Sequence, residues 1–207
     1  MTALARFNPA AAFQRAVLVV LIALGLASCG LNSVPTAEEQ VNAAWGNLQS
    51  EYQRRADLIP NLVTTVKGYA QQERTVLTEV TNARARASSI QLNAGDLDDP
   101  AKVQAFNQAQ TQLGSSLGRL LATFEAYPDL KSNQNFLTLQ AQIEGTENSI
   151  LVGRRDYNEA VRQYNTRIRT FPDAIGAKIF YGAKPKVPFE ASAGAQTAPK
   201  VDFGNAS

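Results

Sequence analysis

The sequence predicts an all-α protein, an up-and-down antiparallel bundle of four long helices, on three observations. From Thr36 to Phe171 apolar residues recur at three and four positions, and the period-two alternation of a strand is absent. Phe136, Ile143, Ile150, Tyr157, Tyr164 and Phe171 stand seven apart, a heptad that asks for neighbouring helices in near-parallel packing. Boundary signals punctuate the pattern, with Asp99-Pro100 the clearest of them: an N-cap acid followed by proline at the first helical position.

Residues 1–28 read as an export leader. Arg6 and Arg15 are its positive flank, twelve apolar or glycine residues follow from Ala16 to Ala27, and small Ala27 and Ser28 precede Cys29, the only cysteine. Twelve helical residues cover about 18 Å, short of the roughly 30 Å of a bilayer core, so a spanning helix fits poorly. Leu26-Ala27-Ser28-Cys29 has the layout of a lipobox, and two or more acyl chains on Cys29 would meet the requirement for stable anchoring. Gly30 rather than aspartate after the cysteine favours the outer over the inner membrane in a Gram-negative cell. An uncleaved signal anchor and a buried structural cysteine are the other readings of the same segment. Residues 29–37 then form a tether, 38–182 the bundle and 183–207 a flexible tail.

The first helical stripe is Val41, Trp45, Leu48 and Tyr52, opened by Thr36 with Glu38 and Glu39 in its first turn. The second is Leu62, Val66, Tyr69, Val76, Val80, Ala83, Ala87 and Ile90, running out in Asn93-Ala94-Gly95. The third follows Pro100 with Val103, Phe106, Leu113, Leu117, Leu120, Phe124 and Tyr127, and Pro128-Asp129 ends it. The fourth is the heptad, filled in by Leu139, Ala160, Val161 and Ile168. Ile175, Ile179, Phe180 and Tyr181 suggest one last apolar turn against the bundle. Beyond it Pro185, Pro188, Gly194, Pro199 and Gly204 interrupt the pattern.

The joint at Leu58-Ile59-Pro60-Asn61 admits two readings. The stripe keeps its phase through Pro60, which allows a three-helix arrangement whose long first helix is kinked there. If the second and third helices pair through the 93–99 connection, however, a continuous first helix leaves Trp45 and Tyr52 projecting beyond their partners. A turn at Pro60 buries them, and the four-helix arrangement is the one expected.

Charge and composition exclude several functions. The chain carries 20 Lys+Arg and 18 Asp+Glu; Arg6 and Arg15 lie in the leader with no acid, leaving eighteen of each sign in residues 29–207. A balanced mature domain lacks the uncompensated basic face that nucleic acid requires, so no nucleic-acid partner is expected. The chain contains no histidine, which removes Ser/His and Cys/His nucleophile pairs, imidazole acid/base chemistry and histidine-bound zinc. Acylation of Cys29 would remove the only thiol. Asp96, Asp98 and Asp99 are the densest acids, read as helix caps rather than a weak calcium site. Gly114-x-x-x-Gly118 reads as simple packing, and Tyr157 and Tyr164 as core residues whose hydroxyls reach polar partners. No cofactor, metal or catalytic residue is expected.

With turns at both 58–62 and 127–131, one end of the bundle would gather Arg54, Arg55, Asp57, Asn61, Glu125, Asp129 and Lys131. Such a group either closes the bundle as a charge network or binds a partner.

Several runs carry a family resemblance. They are Trp45-x-x-Leu48, Gln53-Arg54-Arg55-Ala56-Asp57-Leu58-Ile59-Pro60-Asn61-Leu62-Val63, Val66-Lys67-Gly68-Tyr69 and Glu73. The second half adds Glu125 to Lys131, Phe136-x-x-Leu139-Gln140, Thr146-Glu147-Asn148, Arg154-Arg155, Tyr157-Asn158, Tyr164-Asn165, Phe171-Pro172 and Ala177. Together they resemble the LemA family over roughly residues 40–182. The resemblance implies an antiparallel helical bundle tethered by its N terminus, facing away from the cytoplasm, with no agreed catalytic residues to transfer. Members usually begin with a transmembrane anchor, and the lipobox at Cys29 departs from that.

The expected function is that of a membrane-anchored, non-enzymatic helical-bundle protein of the bacterial envelope, periplasm-facing. It would meet the membrane through acylated Cys29 and scaffold unidentified envelope proteins. The alternative is a carboxylate-dependent envelope enzyme or enzyme accessory in wall or lipid metabolism.

Overall fold

The computed structural model describes residues 13–15, 17–18, 32–68 and 73–190. Cys29 and the leader junction lie outside the described residues, and so do Tyr69 and everything after Glu190. In chain order the elements are α1 (Ser33–Lys67), α2 (Arg74–Ser89), α3 (Pro100–Phe124), the short α4 (Pro128–Lys131), α5 (Gln134–Arg167) and α6 (Asp173–Gly176). A π-helical turn, Ala177–Tyr181, extends α6. Among the described residues there is no strand, as the missing alternation predicts.

The largest correction concerns Pro60. It lies inside α1, which runs for 35 residues, about 52 Å at helical rise, and does not turn back at 58–62. A proline there removes the N–H that would bond the carbonyl four residues earlier, at Ala56. Arg84 of α2 supplies the missing donor, its Nε reaching the Ala56 carbonyl at 2.7 Å. The freed acceptor is therefore satisfied from the neighbouring helix and α1 continues. The reversal of direction falls instead between Lys67 and Arg74.

Trp45 is buried as expected but not by a turn at Pro60, because α5 is nearly as long as α1 and lies antiparallel along it. Leu48 packs on Gly153 and Arg55 bonds Glu147, which fixes that register. Arg84 to Ala56 places α2 antiparallel to α1, and an ion pair from Arg119 to Glu79 does the same for α3 against α2. The helix also starts earlier than expected. It begins at Ser33 rather than near Glu38, with Val34 and Ala37 already buried, and Thr36 donates its hydroxyl to the Asn32 carbonyl at 2.7 Å. The tether read over 29–37 is thus helix from its fifth residue, and no acid lies in the first turn.

Asp99 caps α3 as predicted: its Oδ1 accepts from the Ala101 and Lys102 amides at 2.9 and 3.3 Å. The heptad of α5 is buried from Phe136 through Tyr164, but α5 stops at Arg167 and Phe171 stands in solvent.

The core divides in two. Near the N terminus of α1, Trp45, Tyr52, Phe106, Tyr157 and Phe189 form an aromatic cluster, with Trp45–Phe106 and Tyr157–Phe189 ring centroids 5.4 and 5.0 Å apart. Toward the other end, Ile59, Leu62, Val80, Leu113, Leu117, Leu120, Phe124 and Ile143 form a mainly aliphatic one.

The flexible tail read over 183–207 does not hold for residues 183–190, which form an ordered extended strap along α5, and residues 191–207 lie outside the described residues. Asn165 exchanges two hydrogen bonds with the Lys186 backbone, and Asn158 exchanges two with that of Phe189, each at 2.8 Å. Seven helical residues rise about 10.5 Å and three extended ones about 10 Å, so both amides reach their partners at once. The Tyr157 hydroxyl donates to the Val187 carbonyl at 3.0 Å, and the Val187 amide donates to Leu97 at 2.8 Å. Phe189 then fills the aromatic core at 4% exposure.

Candidate functional site

Between the two cores sits a polar layer built on Arg55. Its Nη1 donates to both Glu147 oxygens, at 2.8 and 3.1 Å, and its Nη2 to the Gln110 side-chain and backbone oxygens, at 2.6 and 3.1 Å. Three helices meet on this one guanidinium, which is 2% exposed and lies 5.4 Å from the Tyr52 ring centre. Its Nε is buried without a partner, as is the Tyr52 hydroxyl beside it. Burial pushes the Tyr52 hydroxyl above its ordinary pKa, against the opposing pull of Arg154 and Arg55. Arg55 carries the planar fork that suits several simultaneous acceptors. Gly114 lies beside it: a Cβ there would stand 3.5 Å from Nη1, while one at Gly118 would meet open space.

The seven residues expected at one end are dispersed, because Pro60 is not a turn. Arg55 goes inward. Arg54, Asp57 and Asn61 are exposed and, three and four residues apart, form one stripe on the solvent face of α1. Asp57 accepts from Gln53 at 2.8 Å within that face. Glu125, Asp129 and Lys131 are exposed at the α3–α4 junction. Arg54 borders a shallow groove whose α5 side is Leu137, Thr138, Ala141, Gln142, Gly145 and Ser149.

The acids 96–99 each have a structural partner. Asp99 caps α3, Asp98 pairs with Lys184 at 3.3 Å, and Asp96 accepts from Lys102 and from the Asn93 amide at 3.0 Å. The Lys102 bond holds Asp96 below the usual carboxylate range and raises Lys102 in turn. Among the described residues no three His, Cys, Asp or Glu side chains converge as a metal would need.

Tyr157 and Tyr164 are buried as core residues, and desolvation pushes both hydroxyls up, that of Tyr164 to about 12. The asparagines that follow them hold the strap, a role that sequence reasoning does not assign. Their signal is the Tyr-Asn pair repeated after seven residues. Glu147, Gln110, Arg84 and Arg154 likewise gain their roles only in the folded molecule. Arg154 bonds Asn107 at 2.7 Å and the Glu190 carbonyl at 2.9 Å while lying 5.4 Å from the Phe189 ring centre. No sequence spacing relates residues on different helices.

Buried polar groups that link α1, α3, α5 and the strap define a helical protein whose interior chemistry is that of assembly. The chain belongs to the LemA family, whose sequence model matches residues 44–203. It is 27% identical over 140 residues to the protein LemA of Metamycoplasma hominis, covering 68% of this chain and 60% of that one. It is 26% identical over 159 residues to magnetosome protein MamQ 2 of Paramagnetospirillum magneticum, covering 68% and 58%. Magnetosome protein MamQ of Magnetospirillum gryphiswaldense is 24% identical over the same length and shares. The chain thus spans about three fifths of the length of these relatives.

Proposed function

We propose that this protein is a membrane-anchored, non-enzymatic helical bundle of the bacterial envelope that presents the exposed α1 face to protein partners. The four long helices work as one antiparallel rod standing on an N-terminal lipid anchor at Cys29. The observation that carries the reading is the division of α1's polar residues. Arg55 is consumed by internal bonds to Glu147 and Gln110, whereas Arg54, Asp57 and Asn61 form an exposed stripe beside the α1–α5 groove. The names of the relatives agree, since they record a family and an association with the magnetosome and no reaction. A carboxylate-dependent enzyme would need two acids facing one another across water, and Glu147 faces Arg55 instead.

A photo-crosslinking residue at position 61, in cells, is the direct test. We expect discrete crosslinked partners that disappear in Arg54→Ala/Asp57→Ala protein whose melting curve is unchanged, and release of Cys29→Ala protein from the membrane fraction. Turnover of an envelope substrate by the purified protein alone would overturn the reading.

A further inference from the structure

Beyond Asn32 the described residues expose eight large apolar side chains, and five of them fall between residues 171 and 181. Phe171 is 82% exposed, Ile179 69% and Phe180 67%, with Ile175 and Tyr181 close behind. The segment is turned inside out relative to the other helices. Its small residues, Gly176 and Ala177, are buried, and its large ones face solvent. Ile175 and Ile179 stand four apart on α6 and the turn that extends it, and Phe171 lies in the turn that leads into α6.

The location gives this patch a meaning. Ala177 packs in the same cluster as Val34 and Ala37, so the patch sits at the end of the molecule where α1 begins. Asn32 is three residues from Cys29, a reach of about 10 Å even fully extended. Exposed Arg167, Arg169, Lys178 and Lys184 flank the patch along the chain; of the acids that meet them, Asp173 faces Arg167 at 3.9 Å and Asp98 faces Lys184 at 3.3 Å, so the cations outnumber these acids four to two. Two copies joined through this surface would bring like charges together. An anionic lipid headgroup layer would meet the cations, and the rings and isoleucines would enter the acyl boundary beneath it.

We propose that residues 171–181 form a membrane-contact patch that seats the base of the molecule in an anionic bilayer. The proposal rests on the anchoring reading above, because the tether determines which end faces the lipid. The molecule is then a lipid-tethered rod with a protein foot as well as an acyl chain.

Trp45 is the only tryptophan and is 3% exposed, so a second indole can report on the patch. The full-length acylated Phe180→Trp protein is reconstituted with phosphatidylglycerol-containing vesicles whose lipids are brominated high in the acyl chains. We expect a blue-shifted contribution from the introduced indole, quenched about twofold, and no change in the parent protein, whose Trp45 is buried. Protein that floats with the vesicles but leaves the introduced indole red-shifted and unquenched overturns the patch and leaves the anchor standing. Protein that does not float at all overturns the anchor and the patch together. A blue-shifted introduced indole indifferent to bromine, with a doubled mass in detergent, assigns the surface to a second copy and overturns the proposal.

Discussion

The two halves of the core solve one packing problem by different means. The half toward the C terminus of α1 is closed by the four long helices and Leu130 of the short α4, mainly with aliphatic side chains. Around Trp45, α2 has already ended, and the place of a fourth helix is taken by the 90–99 connection and the strap. Large rings fill the wider gap there, and the Trp45 indole donates to the Leu92 carbonyl at 3.2 Å. Side-chain amides supply the hydrogen bonds that a helix would have satisfied within itself. The difference teaches that a bundle can extend past the end of one of its helices if polar side chains are positioned to hold extended chain in its place.

The boundary between the halves gives the largest test. Arg55→Ala should cost about 3 kcal/mol in urea denaturation, since Gln110 loses its donor and the buried arginine stem leaves a void, whereas Glu147, 39% exposed, returns to water. Arg55→Met with Glu147→Leu should recover much of that loss; a double variant no better than the single would deny the charge pair its role.

Phe189→Ala acts on one half only, at about 3 kcal/mol. Hydrogen exchange should accelerate across residues 41–52 and 157–164 before it does at 113–124. Uniform acceleration would mean that the halves unfold as one.

Arg84→Ala should cost about 1–2 kcal/mol in the helical half by leaving the Ala56 carbonyl unpaired. In a Pro60→Ala background the new amide serves that carbonyl, and the cost should nearly vanish. Equal costs in a double-mutant cycle would contradict the coupling.

The smallest effect belongs to Tyr157→Phe, about 1 kcal/mol at neutral pH for the bond to Val187. Burial raises both Tyr157 and Tyr164 above the ordinary 10.0, so the folded state retains protons that the unfolded state releases. Stability is therefore flat below about pH 10 and falls as pH rises through the interval above it, which for Tyr164 reaches about 12. Melting temperatures recorded from pH 8 to 11 should decline less steeply in the Tyr157→Phe protein.

Helix content and the core stripes were legible because they depend on local period: the seven-residue spacing of Phe136 to Tyr164 marks one buried face. The cap at Asp99 was legible for the same reason, as a signal contained within four residues. Pro60 misled because its compensation comes from Arg84, on another helix, and no local pattern announces it. Arg55 beside Arg54 reads as surface charge until three helices are assembled around it. The strap has neither helical nor strand period, and its partners are side-chain amides rather than a ladder. Of the site, the stripe of Arg54, Asp57 and Asn61 could be read once α1 was continuous, whereas Glu125, Asp129 and Lys131 belonged with it only under the turn that Pro60 does not make.

The two asparagine clamps on the strap act as a gauge of chain length. Pro188 between them is exposed and bears on neither clamp, so its exchange for serine is a change the segment can absorb. Insertion of a single residue there shifts one end by about 3.3 Å and takes one amide off its partner whichever end stays bound. Residues 186–189 thus resist insertion and deletion even at a position that tolerates substitution.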